Sequence, residues 1–155
     1  MAENSLSPFR DIVLLEDNDK GDYKLHEIFD IIINIISVDE VNSGHSTAKM
    51  IGFNGTCEGQ YFNGEIMDNG VDTQLFSKDG RGRVSARYMM KGVDSSLTQC
   101  RIFIENEGEI SCTGEILTTP KIVTDSMELS WLQEETLHGK VAVEEDNRLH
   151  VRIYV

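Results

Sequence analysis

Proline is nearly absent from these 155 residues, which contain only Pro8 and Pro120. Turns must therefore be made mainly by Gly, Asn and Asp, which tolerate left-handed backbone. Cysteine is scarce and odd in number: Cys57, Cys100 and Cys112. A disulfide framework needs an even count and an oxidising compartment, and the Met-Ala-Glu-Asn start is not a basic segment leading into an apolar one. Reduced thiols in a cytoplasmic protein are the expectation. None forms a CxxC pair, and no His–Cys cluster has zinc-ligand spacing. All three fall in strand-like segments, where free Cys behaves as a small buried hydrophobe. No run reaches the ~18 apolar residues of a membrane span. Basic residues are few, 14 against 27 acids for a net charge of −13. That balance argues against nucleic acid, whose phosphates demand a basic face, and against an anionic membrane surface.

What remains is an ordinary single domain, with 39% hydrophobic and 26% charged residues. A chain of this size buries roughly 68–70% of its unfolded surface and needs no metal or disulfide staple. The acids lie at both ends: 11 against 4 bases in residues 1–60, 5 against 5 in 61–100, and 11 against 5 in 101–155. Turn signals recur at short intervals: Asn42-Ser43-Gly44, Asn54-Gly55, Asn63-Gly64, Asp68-Asn69-Gly70, Asp79-Gly80, Lys91-Gly92, Glu107-Gly108 and Asp146-Asn147. Between them the period is two. Val84, Ala86, Tyr88 and Met90 share one strand face, as do Ile102, Ile104 and Asn106, and Leu149, Val151, Ile153 and Val155. Asp79-Gly80 predicts a hairpin across Leu75–Val84. The β-branched run Ile28–Val38 predicts a long strand. Helix is expected only briefly, near Thr124–Leu132 and near Pro8–Glu16. The predicted fold is all-β, a single-domain antiparallel β-barrel over residues 28–155, with residues 1–27 an N-terminal extension or first short elements.

Motifs for familiar chemistries are weak. Glu16–Glu27 echoes a calcium loop through Asn18, Gly21 and Glu27, but Glu16 replaces the first Asp and Lys20 puts a cation where an oxygen ligand belongs. His26, His45, His138 and His150 show no metal spacing, so no metal site is expected. No GxSxG elbow is present, and Gly80-Arg81-Gly82 lacks the rest of a phosphate-binding fingerprint.

More informative are polar residues that alternation aims at apolar faces. In an extended segment Glu58 shares a face with Phe62 and Ile66, Asp72 and Gln74 with Phe76, and Asn106 with Ile102 and Ile104. A buried polar group is costly unless hydrogen-bonded. Such residues therefore form either a structural polar network or the lining of a ligand pocket at one mouth of a barrel.

The order Gly55-Thr56-Cys57-Glu58-Gly59, Phe62-Asn63-Gly64-Glu65-Ile66, Asn69-Gly70-Val71-Asp72-Thr73-Gln74, Asp79-Gly80 and Ala86-Arg87-Tyr88 resembles an uncharacterised bacterial and fungal family of unknown function. Ile104-Glu105-Asn106-Glu107-Gly108, Ser130-Trp131-Leu132 and Val151-Arg152-Ile153-Tyr154-Val155 extend the likeness over residues 28–155. The resemblance implies a calycin-like antiparallel barrel, often oligomeric, with no established catalytic residues. It also implies that Asp72, Arg87, Tyr88 and Asn106 cluster. Where the family pattern has a first Gly and a Trp around the central aspartate, this chain has Asn69 and Thr73, which would alter one wall of a shared pocket.

The expected ligand site comprises Glu58, Asp72, Gln74, Arg87, Tyr88, Asn106 and Trp131. Arg87 would hold an anionic or carbonyl oxygen, although alternation turns it away from Tyr88 unless a bulge intervenes. Tyr88 and Asn106 would orient the ligand, and Trp131 would supply an apolar wall. The leading function is binding of a small organic molecule. One alternative is a cofactor-free isomerase, lyase or hydrolase with Asp72 or Glu58 as general base; another is an interaction protein with a filled barrel. A homo-oligomer is expected, a dimer foremost, partly because an incompletely closed sheet leaves edges to cover.

Overall fold

The computed structural model describes residues 25–155. The helix expected at Pro8–Glu16 and most of the calcium-loop echo lie outside the described residues, as does nearly all of the expected extension. The elements are β1 (Glu27–Asn42), β2 (Ser46–Cys57), β3 (Phe62–Ile66), β4 (Gly70–Ser77), β5 (Gly82–Asp94), β6 (Gln99–Ile110), β7 (Ile116–Thr124), a 3-10 helix (Ser130–Glu134), β8 (His138–Glu144) and β9 (Arg148–Tyr154).

All pairings are antiparallel, and β1 pairs with both β2 and β9, so the nine-stranded sheet closes on itself. The predicted all-β barrel is what forms. Closure removes the unpaired edges that had been one reason to expect a partner. β3 and β4 share one position in the ring, both bridging β2 and β5. β4 pairs along Ser46–Phe53 of β2 and Gly82–Arg87 of β5, while β3 takes Thr56–Cys57 and Met90–Asp94.

Isoleucines explain the long first strand. Ile31 and Ile33 are buried among the core residues, and β-branching favours extended backbone. A bulge at Ile36, between Ile35 and Ser37, bends β1 and leaves Ile36 exposed. The Asp79-Gly80 hairpin forms as expected. Ser77 Oγ donates to Asp79 Oδ1 at 2.6 Å, Gly80 N–H donates to the Ser77 carbonyl at 3.1 Å, and Gly80 has φ +91°. Asn69, Asp146 and Asn147 likewise adopt positive φ in their turns.

Four of the expected turns do not exist. Asn54-Gly55, Asn63-Gly64, Lys91-Gly92 and Glu107-Gly108 all lie inside strands. Their glycines mark close backbone approach instead: a Cβ on Gly92 would meet the Asn63 carbonyl oxygen at 2.0 Å and Gly64 Cα at 2.6 Å.

The two ends of the barrel differ. At one end Phe29 and Phe62 meet edge to face at 6.2 Å, and the β7–β8 connection drives Leu129, Leu132 and Leu137 into the core. Asp94, 3% exposed, fastens this plug by accepting hydrogen bonds from Ser126 Oγ and from the backbone of Ser96 and Thr98. Ser126 Oγ in turn accepts from Leu129 N–H at 3.2 Å. That end is filled. The other end is ringed by the β1–β2, β4–β5, β6–β7 and β8–β9 turns.

Candidate functional site

A cavity of about 370 Å³ occupies the half of the barrel nearer those four turns. Inward-facing residues of successive strands line it, among them Ile33, Ile51, Phe53, Phe76, Ile116 and Val151. Its polar groups are Asp72 and Gln74 on β4, Tyr88 on β5, Asn106 on β6 and Thr118 on β7. Register explains the grouping. Asp72 pairs with Ala86, and Ala86 pairs with Asn106, so both polar side chains flank the small Ala86 in one row across the sheet. With strands ~4.8 Å apart, their Cα atoms are roughly 10 Å apart, with a methyl group between them. Thr118 pairs with Gly108 on one side and Gly139 on the other, so it too has neighbours without side chains.

Four atoms here are buried without a hydrogen-bond partner: Asp72 Oδ1, Tyr88 OH, Asn106 Oδ1 and Thr118 Oγ1. All four belong to residues of the cavity wall. A buried polar atom left unsatisfied costs about 1–3 kcal/mol, and groups of this kind are normally met by water or by a ligand. The other carboxylate oxygen of Asp72 accepts from Gln74 Nε2 at 2.8 Å. Burial raises the pKa of Asp72 above the ordinary carboxyl value, and the hydrogen bonds from Gln74 and the Ser85 backbone only partly oppose it. Burial likewise holds Tyr88 as the neutral phenol, reinforced by the nearby charge positions of Cys57 and Asp72. Its ring is fixed edge to face on Phe53, centroids 5.4 Å apart.

The structure thus brings Asp72, Gln74, Tyr88 and Asn106 together and leaves Glu58, Arg87 and Trp131 out. Arg87 follows plain alternation with no bulge near it. It is exposed on the outer face of β5, beside Thr73, Ser85 and Glu107 in an open surface depression. The anion-holding role expected of it therefore has no place in the cavity. Glu58 is exposed because β2 ends at Cys57 and the chain turns before β3, so alternation cannot be carried from Phe62 back through Glu58. Trp131 is 42% exposed in the 3-10 helix at the filled end of the barrel. Thr73 faces outward and Asn69 occupies a turn, so neither alters a cavity wall.

Thr118 is the polar wall residue that sequence reasoning missed. It shares the inward face of β7 with Pro120 and Ile122, an alternation that the sequence reading did not follow through this segment. The cysteines also divide: Cys57 and Cys100 are buried, whereas Cys112 is exposed in the β6–β7 turn, contrary to expectation. Burial, chiefly, pushes the Cys57 thiol up to about 12. Outside the barrel, His150 on β9 bonds Asp30 on β1 through Nε2 and Glu144 on β8 through Nδ1, tying three strands together. Among the described residues, no group of three or more His, Cys, Asp or Glu side chains is placed to hold a metal ion. No helix among them is long and apolar enough to cross a membrane.

Fold and site together define a small closed antiparallel β-barrel with an apolar interior cavity and a cluster of buried polar atoms on its wall. The chain belongs to the family described as "Protein of unknown function (DUF3237)", which matches residues 23–119. It is 31% identical over 87 residues to a UPF0311 protein of Clostridium acetobutylicum, and the match covers 53% of this chain. The chain spans about half the length of that curated relative, 51%. Solved structures share the fold. A protein of unknown function from Clostridium acetobutylicum superposes with TM-score 0.72 at 21% identity, covering 84% of this chain and 95% of the other. A beta-barrel like protein from Acinetobacter baumannii gives 0.71 at 19%, covering 84% and 94%. An enzyme from Penicillium herquei gives 0.67 at 16% over the whole of both chains.

Proposed function

We propose that this protein binds a small organic molecule inside the barrel, at the end ringed by the four turns. The observation that carries this reading is the coincidence of cavity and orphan atoms. Four buried polar atoms without partners all belong to the wall of one 370 Å³ space, in which the remaining lining is almost wholly aliphatic and aromatic. A few convergent polar groups in an apolar concavity of this size are the usual composition of a small-molecule site. A filled barrel acting only as an interaction surface would have side chains where this one has space.

A screen of metabolites by thermal shift, run on the protein and on an Ala86→Leu variant, tests the reading. Leucine at 86 would project from between Asp72 and Asn106 into the cavity that Ala86 lines. Compounds that raise the melting temperature of the parent are expected to leave Ala86→Leu unmoved, while the variant alone melts within a few degrees of the parent. Ligands that stabilise both equally would place binding elsewhere.

A second reading, cofactor-free proton transfer, is favoured by one observation. Asp72 lines the cavity with Oδ1 unpartnered, and burial raises its pKa above the ordinary carboxyl value. Glu58, outside the cavity, has no part in it.

A further inference from the structure

Resting on the ligand-cavity reading, we infer the chemical class of the ligand: an uncharged, compact, largely apolar molecule carrying at least two hydrogen-bond donors, such as hydroxyl or N–H groups, that reach Asp72 and Asn106 across Ala86. The inference comes from which atoms lack partners and which side chains are missing from the wall.

Of the four orphan atoms, Asn106 Oδ1 is an acceptor, Asp72 Oδ1 accepts whenever the carboxyl is ionised, and the hydroxyls of Tyr88 and Thr118 can act either way. Acceptors therefore predominate, and a ligand that satisfies them must bring the donors. Asp72 and Asn106 are two strands apart in one inward row with only a methyl group between them, so one donor cannot serve both. At least two are needed, with Tyr88 and Thr118 able to take a third group.

Charge is excluded from both sides. The cavity wall contains no Lys, Arg or His among the described residues, and Arg87, the nearest basic residue in sequence, points away from it. An anion would enter an apolar space with no cation to meet it and with a carboxyl already there, at a desolvation cost nothing offsets. A cation would have to form a buried ion pair with Asp72 within an otherwise largely hydrocarbon wall, where stripping water from two ions offsets most of their attraction. Most of the wall is hydrocarbon, from Ile33, Ile51, Phe53, Phe76 and their neighbours, so the body of the ligand must be apolar.

A matched set on one rigid apolar cage separates the terms. Titration calorimetry would compare adamantane-1,3-diol, 1-methoxyadamantane, adamantane-1-carboxylate and 1-adamantanamine, with the parent protein and with Asn106→Leu. The diol is expected to bind at least about tenfold more tightly than each of the others. Asn106→Leu should lose about tenfold for the diol and leave the methoxy compound unchanged, which a merely misfolded variant would not do. Carboxylate or amine binding as tightly as the diol would overturn the exclusion of charge. The methoxy compound matching the diol would overturn the need for donors while leaving the ligand cavity intact. Failure of all four compounds to bind would overturn the cavity reading and this inference together.

Discussion

At Asp72, burial and hydrogen bonding act in opposite directions on one carboxyl. Burial raises its pKa, the Gln74 amide and the Ser85 backbone lower it, and burial prevails. The folded chain therefore keeps a proton that the unfolded chain releases near 3.8. Stability from this group falls as pH rises from 3.8 to the folded value, and the full penalty applies above it. Asp72→Asn keeps the acceptor for Gln74 and removes the charge. It should melt higher than the parent at pH 7, by about 2–4 °C for each kcal/mol recovered, with the increment shrinking as pH falls through the raised folded value and gone below 3.8. Thermal melts of both proteins across that range check this; an increment that does not change with pH would mean the carboxyl is not penalised by burial. Asp94 has the opposite sign. The Ser126 hydroxyl, with the backbone N–H groups of Thr98 and Ser96, lowers its pKa, so its contribution is present at neutral pH and is lost as pH falls through its folded value. The polar site residues on regular strands were legible because period two needs only the chain itself: Asp72, Gln74, Tyr88 and Asn106 all face inward as alternation says. Glu58 and Trp131 were not, because one follows the end of a strand and the other belongs to a helix whose docking no local pattern reveals.

Among the elements, β3 and β5 meet through an opposed pair of glycines, Gly64 and Gly92. This is where β3 takes over from β4 in the ring and the two backbones approach closely. Gly92→Ala would force a Cβ to 2.0 Å from the Asn63 carbonyl oxygen, a backbone atom that cannot swing aside. We expect a loss of about 2–3 kcal/mol or more in denaturant unfolding. Gly59→Ala, where nothing lies within 4 Å, should change stability by no more than about 0.5 kcal/mol. Equal effects at the two positions would refute the close-approach account. The same glycines show where reading the elements from sequence fails. Asn63-Gly64 and Asp79-Gly80 look alike, yet the first lies within a strand and the second makes a turn at positive φ. A glycine required for backbone rotation and one required for clearance leave the same letter.

For the molecule as a whole, the ring of pairings is uneven. β5 and β6 pair at every position from Gly82 to Val93, whereas β7 and β8 pair only at Leu117–Lys140 and Thr118–Gly139. The rest of that seam is occupied on the β7 side by the 3-10 helix, whose Gln133 Oε1 accepts from Thr124 N–H. Local opening follows the weakest ladder, so amides of β8 and the β8-facing amides of β7 should exchange with solvent faster than those between β5 and β6. Hydrogen-exchange mass spectrometry would show this, and uniform protection around the ring would contradict it.

Near-absence of proline, turns built from Asn, Asp and Gly, and two-residue periodicity by themselves determined an all-β chain and the inward-facing residues of its regular strands. These properties are local, or sums over composition, and need no contact between distant residues. Tertiary structure alone decided that the sheet closes, that its Leu129–Leu137 end is plugged while the other holds a cavity, and that Thr118 joins Asp72, Tyr88 and Asn106 around that space. The physical reason is register: which side chains meet across a sheet depends on how strands far apart in sequence are aligned, and alternation within one strand carries no information about that alignment.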